Sequence, residues 1–246
     1  MKTKLTQTFR IPSYDTDKST RLKPAAFLNY AQDMAGEHAE ILGFGDTVLK
    51  PRDIVWVISR MHTEFYKLPL WRDTINITTW HRGLDGPFYV REFLLHSESG
   101  ELIGRATTSW ILFNLGERKM VRVDDIGTDA DSINDESMMP ACGRLRIPRD
   151  LEMAPAGEHT VSYSDIDKNG HANNVMYTVW AMDLLDRDFL FDNPVKDHEI
   201  NFISEAHPGD TVQLYKGCKT TEDGALQWYV RGMVGETESF IVRLTF

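Results

Sequence analysis

The chain contains 246 residues, of which 41% are hydrophobic, and its formal net charge is −10 at pH 7. This length and apolar content suffice for one large domain or two of ordinary size and exclude an intrinsically disordered chain. The acidic balance excludes a broadly basic surface for nucleic-acid phosphates, so we expect no nucleic-acid partner.

Cysteine usage and hydropathy indicate a cytoplasmic protein. Cys142 and Cys218 provide neither a disulfide framework nor the ligand spacing of a zinc site. The N-terminal segment lacks the apolar region of a signal peptide, and no run reaches the ~20 apolar residues of a membrane-spanning helix. We therefore expect a reducing compartment and no membrane span.

The first half of the chain reads as a strand, one helix and then about four strands. A polar segment, SYDTDK, precedes a helix-patterned run that begins at Pro24, PAAFLNYAQDMAGEHAEIL. Alternating, β-branched and aromatic residues then predict strands in DIVWVISRMHTEFY, DTINITTWHR, FYVREFLLHS and GELIGRATTSWILFN. The turn pair Asp85-Gly86 supports a hairpin within this series.

The second half repeats this order. SYSDIDK precedes the helical run NNVMYTVWAMDLLDRDFL, and the predicted strands are HEINFIS, DTVQLYKGCKT, LQWYVRGMV and ESFIVRLTF. The shared order predicts an α+β protein of two similar units, residues 1–123 and 151–246, each an antiparallel sheet with one main helix. An acidic linker, 124–150, is expected to run over the surface and ends in an arginine cluster, Arg144, Arg146 and Arg149.

The two predicted helices differ in their apolar faces. The second helix is apolar around most of its circumference, which indicates a buried helix enclosed by a curved sheet. The first helix has a narrower apolar face that includes Phe27, Leu28 and Ala31. Most of these residues are expected to form core, and with Trp56 some of them are predicted to line an apolar cavity.

The stretch SDIDKNGHANNVMY concentrates polar side chains where a helix begins. Its helix start, Asn173 to Val175, offers backbone N–H groups that can stabilise an oxyanion. A carboxylate, Glu205 or Asp167, can deprotonate a water molecule, so such a site needs no metal and no cofactor. Asp and Asn also cluster at helix starts for local hydrogen bonds alone, and that alternative stays open.

This stretch resembles the active-site segment of the acyl-acyl carrier protein thioesterases, and INFISEAHPGDTVQLY resembles their catalytic strand. The resemblance implies two tandem hotdog units, each a long helix wrapped by an antiparallel sheet, and release of free fatty acid from acyl carrier protein in fatty-acid synthesis. It also implies a set of catalytic residues, with Asn174 as a further substrate-binding residue. The catalytic residues are Asp167, Asn169, His171 and Glu205.

Two departures from the plant members of that family matter. Many of them carry a cysteine after the catalytic glutamate, whereas this chain has Ala206, which excludes a thiol nucleophile there. This chain also lacks the plastid transit segment of the plant members, so we expect a bacterial-type cytosolic protein.

The internal repeat predicts that only one unit is catalytic. Aligning Asp17-Lys18 with Asp167-Lys168 sets Ser19 opposite Asn169 and Arg21 opposite His171. Aligning the two later Asp-Thr pairs sets Leu68 opposite Glu205. The first unit is therefore predicted to be non-catalytic and to bind the acyl chain.

Other functions remain open on the sequence alone. An acyl-coenzyme A thioesterase or a hydratase of the hotdog superfamily would use similar residues, and a non-catalytic acyl-thioester-binding module would use none of them. The absence of a G-x-S-x-G motif disfavours an α/β-hydrolase. The sequence does not fix the acyl chain length, and it leaves open whether the chain forms a homodimer.

Overall fold

The computed structural model describes residues 3–121 and 132–246. The first half contains β1 (Leu5–Arg10), α1 (Pro24–Ile41), α2 (Asp46–Leu49), β2 (Ile54–Phe65), β3 (Thr74–Asp85), β4 (Phe88–Ser97), β5 (Leu102–Asn114) and β6 (Lys119–Val121). The second half contains β7 (Ala154–Thr160), α3 (Asn174–Asp183), α4 (Arg187–Asp192), β8 (Asp197–Phe202), β9 (Thr211–Thr220), β10 (Leu226–Val234) and β11 (Thr237–Thr245).

All of the strands join one antiparallel sheet. Its order is β1-β3-β4-β5-β2-β8-β11-β10-β9-β7, with β6 paired to β5. Apart from β6, the described part of each half contributes five strands in the same relative order, and the halves meet where β2 pairs with β8, from Arg60 opposite Asn201 to Glu64 opposite Asp197. We call this pairing the seam. The predicted α+β architecture of two similar units is confirmed.

The main helices of the two halves pack against the same side of the sheet and against each other. Pro24 starts α1, a position where its missing N–H costs no hydrogen bond. Asn173 caps α3, whose buried residues include Tyr177, Trp180 and Ala181. One hydrophobic core runs through both halves, and each large apolar side chain buried there contributes about 1.5–3 kcal/mol.

The described part of the predicted linker lies across the other face of the sheet. Arg105 donates to the carbonyl of Met138 at 2.6 Å, and Arg60 donates to that of Cys142 at 3.0 Å. Farther along, the N–H of Leu145 donates to Asn201 Oδ1 at 2.8 Å. These bonds hold the segment against the outer face. The predicted acidic part, 124–131, lies outside the described residues.

A group of charged side chains joins the halves on this outer face. His62 of β2 is hydrogen-bonded to Asp197 of β8, and its Nε2 lies 3.7 Å from Glu199 Oε1. The potential ligand atoms of these three residues lie within 4.8 Å of one another. Arg243 donates to both carboxylates, at 3.2 and 2.7 Å, so the group forms an ion-pair network across the seam, in which the buried Nε of Arg243 has no acceptor among the described residues.

Within the described ranges, no helix has both the length and the apolar character needed to cross a bilayer.

Buried histidine predicts a pH-dependent stability. His198 on β8 shares a hydrogen bond with Thr178 of α3 at 3.0 Å, and burial lowers its pKa from 6.5 to about 4. The folded chain keeps His198 neutral, whereas the unfolded chain protonates it below about pH 6.5. Its stabilising contribution is therefore complete above that pH and declines as the pH falls towards about 4.

We expect His198→Gln to reduce the slope of unfolding free energy against pH in this window by up to about 1.4 kcal/mol per pH unit. Urea unfolding from about pH 4 to 7 measures this slope. Replacing the exposed His207 with Gln is the control. A slope that is identical in wild type and the His198 variant would contradict the prediction.

Candidate active site

Two loops converge at the start of α3. The first, residues 161–173, connects β7 to α3 and is called here the helix-start loop. The second, residues 203–210, connects β8 to β9 and is called the glutamate loop. The N–H of Ala172 donates to the carbonyl of Ala206 at 2.9 Å, which joins the loops directly.

The helix-start loop is organised around a buried carboxylate. Asp165 accepts hydrogen bonds from the N–H of Ser162 at 2.7 Å and from His159 at 2.8 Å. Burial alone would raise the pKa of Asp165, but these hydrogen bonds outweigh it and hold the pKa below its ordinary value. The carbonyl of Asp165 also accepts the N–H of Asn173 at 2.8 Å, which sets the position of the helix cap.

The structure places Asp167 and Asn169 in one tight turn. Asp167 Oδ1 accepts the backbone N–H of Asn169 at 2.7 Å, and Oδ2 accepts its side-chain amide at 3.1 Å. Gly170 follows with a φ of +86°, a conformation that glycine adopts without strain. Both oxygens of the Asp167 carboxylate are thus engaged in orienting Asn169.

Glu205 lies beside His171. Its Oε1 is 3.6 Å from His171 Nε2, with 52% of the glutamate side chain and 22% of the histidine side chain exposed. Within the described ranges, no hydrogen bond occupies either carboxylate oxygen of Glu205. In contrast to Asp167, this carboxylate is available to a water molecule.

The start of α3 presents one backbone donor. The N–H of Val175 donates a hydrogen bond to the side chain of the cap residue, Asn173 Oδ1, at 3.1 Å. The N–H of Met176 donates to the carbonyl of Asn173 at 2.8 Å. The N–H groups of Ala172 and Asn173 are also bonded. Among the described residues, none accepts the N–H of Asn174. This donor lies at the positive end of the helix dipole.

A narrow apolar cleft lies between α1 and α3, and Asn174 forms part of its wall. Its other lining residues are Leu28, Ala31, Gln32, Ile58, Met61, Phe93, Thr108, Trp110, Val175 and Phe202. Leu28 and Ala31 were predicted to line an acyl cavity, and the structure places both in this wall. Assigning the cleft to an acyl chain remains a prediction.

The structure places the other two predicted lining residues outside this cleft. Phe27 is fully buried and packs edge-on against Phe65, with ring centroids 5.7 Å apart. Trp56 packs against Tyr89 in a separate cluster and donates its Nε1–H to the carbonyl of Phe44 at 2.8 Å. Apolar character alone did not distinguish core residues from cleft residues.

His207 is a residue near Glu205 that the sequence analysis did not select. Its Nε2 lies 3.8 Å from Glu205 Oε2, and its Nδ1 lies 3.7 Å from Asp210 Oδ2. The two carboxylate oxygens of Glu205 therefore face two imidazoles, His171 and His207. The only signal in the sequence was a histidine two residues after the glutamate, in a turn that Gly209 closes with a φ of +88°.

The equivalent loops of the first half lack these groups. Leu22 donates to the carbonyl of Pro69 at 2.8 Å, as Ala172 does to Ala206, so Leu68 occupies the place of Glu205. Arg21 replaces His171, and its guanidinium donates to Asp17 and, at 2.6 Å, to the carbonyl of Phe191.

The helix start of the first half differs as well. Pro24, at the place of Asn174, has no N–H to donate. At these equivalent positions the first half therefore lacks the carboxylate, the imidazole and the backbone donor found around α3.

Comparisons with known proteins agree with this architecture. The family model described as the acyl-ACP thioesterase N-terminal domain matches residues 2–129, and the model of the C-terminal domain matches residues 150–242. The chain is 27% identical to oleoyl-acyl carrier protein thioesterase 1 of Arabidopsis thaliana, covering 96% of this chain and 70% of that protein. It is also 27% identical to the dodecanoyl-[acyl-carrier-protein] hydrolase of Cinnamomum camphora, covering 96% of this chain and 61% of that protein.

Solved structures show the same fold. An acyl-ACP thioesterase from Bacteroides thetaiotaomicron aligns with a TM-score of 0.85 at 24% identity, over 98% of this chain and 97% of that one. The 12:0-ACP thioesterase from Umbellularia californica aligns with a TM-score of 0.84 at 21% identity, over 98% and 93%. The predicted tandem hotdog fold is confirmed, and the chain belongs to the acyl-ACP thioesterase family.

Proposed function

We propose that this protein hydrolyses a fatty acyl thioester of acyl carrier protein and releases the free fatty acid. The observation that carries the proposal is the convergence of Glu205, His171 and the unpaired N–H of Asn174, with Asn174 lining an apolar cleft. The plant relatives are named for the same reaction on carrier-bound acyl groups. Catalysis is assigned to the second unit, 151–246, and acyl-chain binding to the first, 1–123.

Water is the nucleophile in this mechanism, and Glu205 is the general base. The glutamate accepts a proton as the water oxygen bonds to the thioester carbonyl carbon. The carbonyl oxygen then becomes an oxyanion, which accepts a hydrogen bond from the N–H of Asn174. Collapse of this intermediate breaks the C–S bond, and the thiolate takes the proton held by Glu205 and leaves as the thiol, which returns the glutamate to its carboxylate form.

The remaining polar residues orient these groups. Asp167 holds the side-chain amide of Asn169 through its N–H, which leaves the amide oxygen of Asn169 to accept from the attacking water. His171 Nε2 lies 3.6 Å from Glu205 Oε1, slightly beyond hydrogen-bond distance, and a small closure on substrate binding would form the hydrogen bond that holds the carboxylate in place.

The cysteines support attack by water rather than by a thiol. Cys142 is buried on the outer face of the sheet, and burial raises its pKa to about 12. Burial also raises the pKa of Cys218 on β9. A thiol with a raised pKa carries little nucleophilic thiolate at neutral pH.

The cleft between α1 and α3 has apolar walls but a volume of only about 10 Å³, room for roughly one water molecule, so an acyl chain would have to move the two helices apart to enter. Leu28, Met61 and Phe93 of the first half face Val175 and Phe202 of the second across it. Transfer of a methylene group from water into such surroundings contributes about 0.8 kcal/mol. Binding between the helices would bring the thioester to the start of α3, where Asn174 lies.

A thiol-release assay with acyl carrier protein and coenzyme A esters tests the proposal. We expect wild type to release thiol from the carrier-bound ester, and Glu205→Gln and His171→Ala each to lower kcat by roughly 10²–10⁴, because each removes an acid–base group.

The matched controls are Glu236→Gln, in the exposed β10–β11 turn, and His96→Ala, on β4. Both should keep wild-type kcat. Full turnover by the Glu205 variant would refute the mechanism, and no thiol release from any ester would favour a binding module. Better turnover of the coenzyme A ester would overturn the carrier-protein assignment.

Replacement of Asn174 by proline tests the backbone donor by itself. Pro24 occupies the equivalent first position of α1, and Asn173, with ψ of 134°, has the extended backbone required before a proline. We therefore expect Asn174→Pro to fold normally and to lose about 10²–10³ in kcat, the usual cost of one oxyanion donor.

Asn174→Ala, which keeps the N–H, is the control for the side chain and should retain most of the activity. Circular dichroism and the melting temperature establish that the proline variant is folded. A folded proline variant with wild-type kcat would remove the oxyanion role of this N–H.

A further inference from the structure

A hydrogen bond from the first half reaches the start of the catalytic helix. Gln32 lies on α1, and its side-chain amide donates to Asn173 Oδ1 at 3.2 Å. The same oxygen accepts the N–H of Val175 at 3.1 Å, which caps α3. The cap of the catalytic helix is therefore held by one donor from its own half and one from the other half.

Gln32 interrupts an otherwise apolar surface. On α1, Leu28, Ala31 and Ala35 are buried against the core, and Gln32 lies in the cleft wall with Leu28 and Ala31. An amide placed in such a wall is stable only when it is hydrogen-bonded. The bond to Asn173 occupies one of its two N–H groups and, in these partly buried surroundings, is stronger than the same bond in water.

Comparison of the two halves shows that α1 carries the amide and that α3 does not. Lys23 and Asn173 occupy equivalent positions, since their N–H groups donate to the carbonyls of Asp15 and Asp165. Counting along the two helices from there sets Gln32 of α1 opposite Met182 of α3. Met182 packs against the hydrophobic core. At the position equivalent to Gln32, α3 therefore carries no amide that could bond to the helix start of the first half.

We infer that Gln32 is a positioning residue for thioester hydrolysis. By donating to the cap oxygen it fixes the Asn173 side chain and peptide, and with them the direction of the Asn174 N–H. The inference rests on the proposed function, because it concerns the donor that stabilises the oxyanion there. It assigns the first half a part in the chemistry in addition to binding the acyl chain.

The chemistry requires this accuracy at the helix start. An oxyanion donor acts when it lies within about 3 Å of the developing charge, so a small rotation of the first peptide of α3 weakens it. A cap held by a single hydrogen bond can rotate about the asparagine side chain, whereas two donors from different directions restrict it. Gln32 restrains the cap from across the cleft, and Val175 restrains it from within the helix.

The principal rival role for Gln32 is direct contact with the acyl chain, since it lines the cleft. That role would alter KM and would depend on the length of the acyl group. A positioning role lowers kcat by the same factor for every chain length, because the thioester carbonyl is common to all of them.

The test compares Gln32→Met, which installs the residue of the equivalent position, with Asn29→Met, an exposed site one turn earlier on α1. With carrier-protein esters of short, medium and long saturated chains, we expect the Gln32 variant to lose roughly five- to tenfold in kcat. KM should stay within about twofold, and the Asn29 variant should match wild type.

A double-mutant cycle with Asn173→Ser separates positioning from general damage. Serine still caps α3 but is too short to reach Gln32, so adding Gln32→Met to it should lower kcat no further. Multiplied losses in the double variant, losses confined to KM, or a Gln32 variant with wild-type kcat would each overturn the inference. Failure of the proposed function is distinct, since wild type itself would then release no thiol.

Discussion

The hydrogen bonding of one buried residue, Ala206, fixes the geometry of the whole site. Its carbonyl accepts the N–H of Ala172 at 2.9 Å, and its N–H donates to the hydroxyl of Tyr177 at 3.0 Å. The helix-start loop and α3 are thereby bound to the glutamate loop on both sides of a single residue. Glu205, the preceding residue, is held beside His171 as a consequence.

The first half has a contact at the equivalent position, but apolar residues replace the polar partners. Pro69 takes the place of Ala206 and has no N–H, and Phe27 takes the place of Tyr177 and has no hydroxyl. The donor and its acceptor are therefore absent together, which leaves no buried polar group without a partner. Phe27 lies in the core rather than in the cleft because it occupies the buried position that Tyr177 has in the second half.

Much of the fold and part of the site could be predicted from the sequence. Strand alternation, helical periodicity and the repeated order of elements predicted two similar units, and the polar stretch before α3 marked the loop that meets Glu205. Boundaries were less accurate: the second helical run was predicted through Leu190, but the chain divides into α3 and α4 because Asp186 caps a new helix through the N–H of Phe189.

The residues that sequence reasoning missed act through contacts between distant segments. The inferred role of Gln32 depends on a hydrogen-bond partner in the other half, and the position of His207 beside Glu205 depends on the fold of the glutamate loop. Trp56 was predicted to line a cavity together with residues of the first helix, whereas the structure packs it against Phe44 and Tyr89. Such contacts follow from the tertiary structure and leave no local pattern.

The most direct test of the central claim is a crystal structure of the Glu205→Gln variant with an acyl-carrier thioester bound. The account predicts a carbonyl oxygen about 3 Å from the backbone nitrogen of Asn174, with the acyl chain between α1 and α3. It also predicts a water molecule between the carbonyl carbon and the side chain at position 205. A thioester bound at the Arg21 loop of the first half, or outside the space between the helices, would contradict the account.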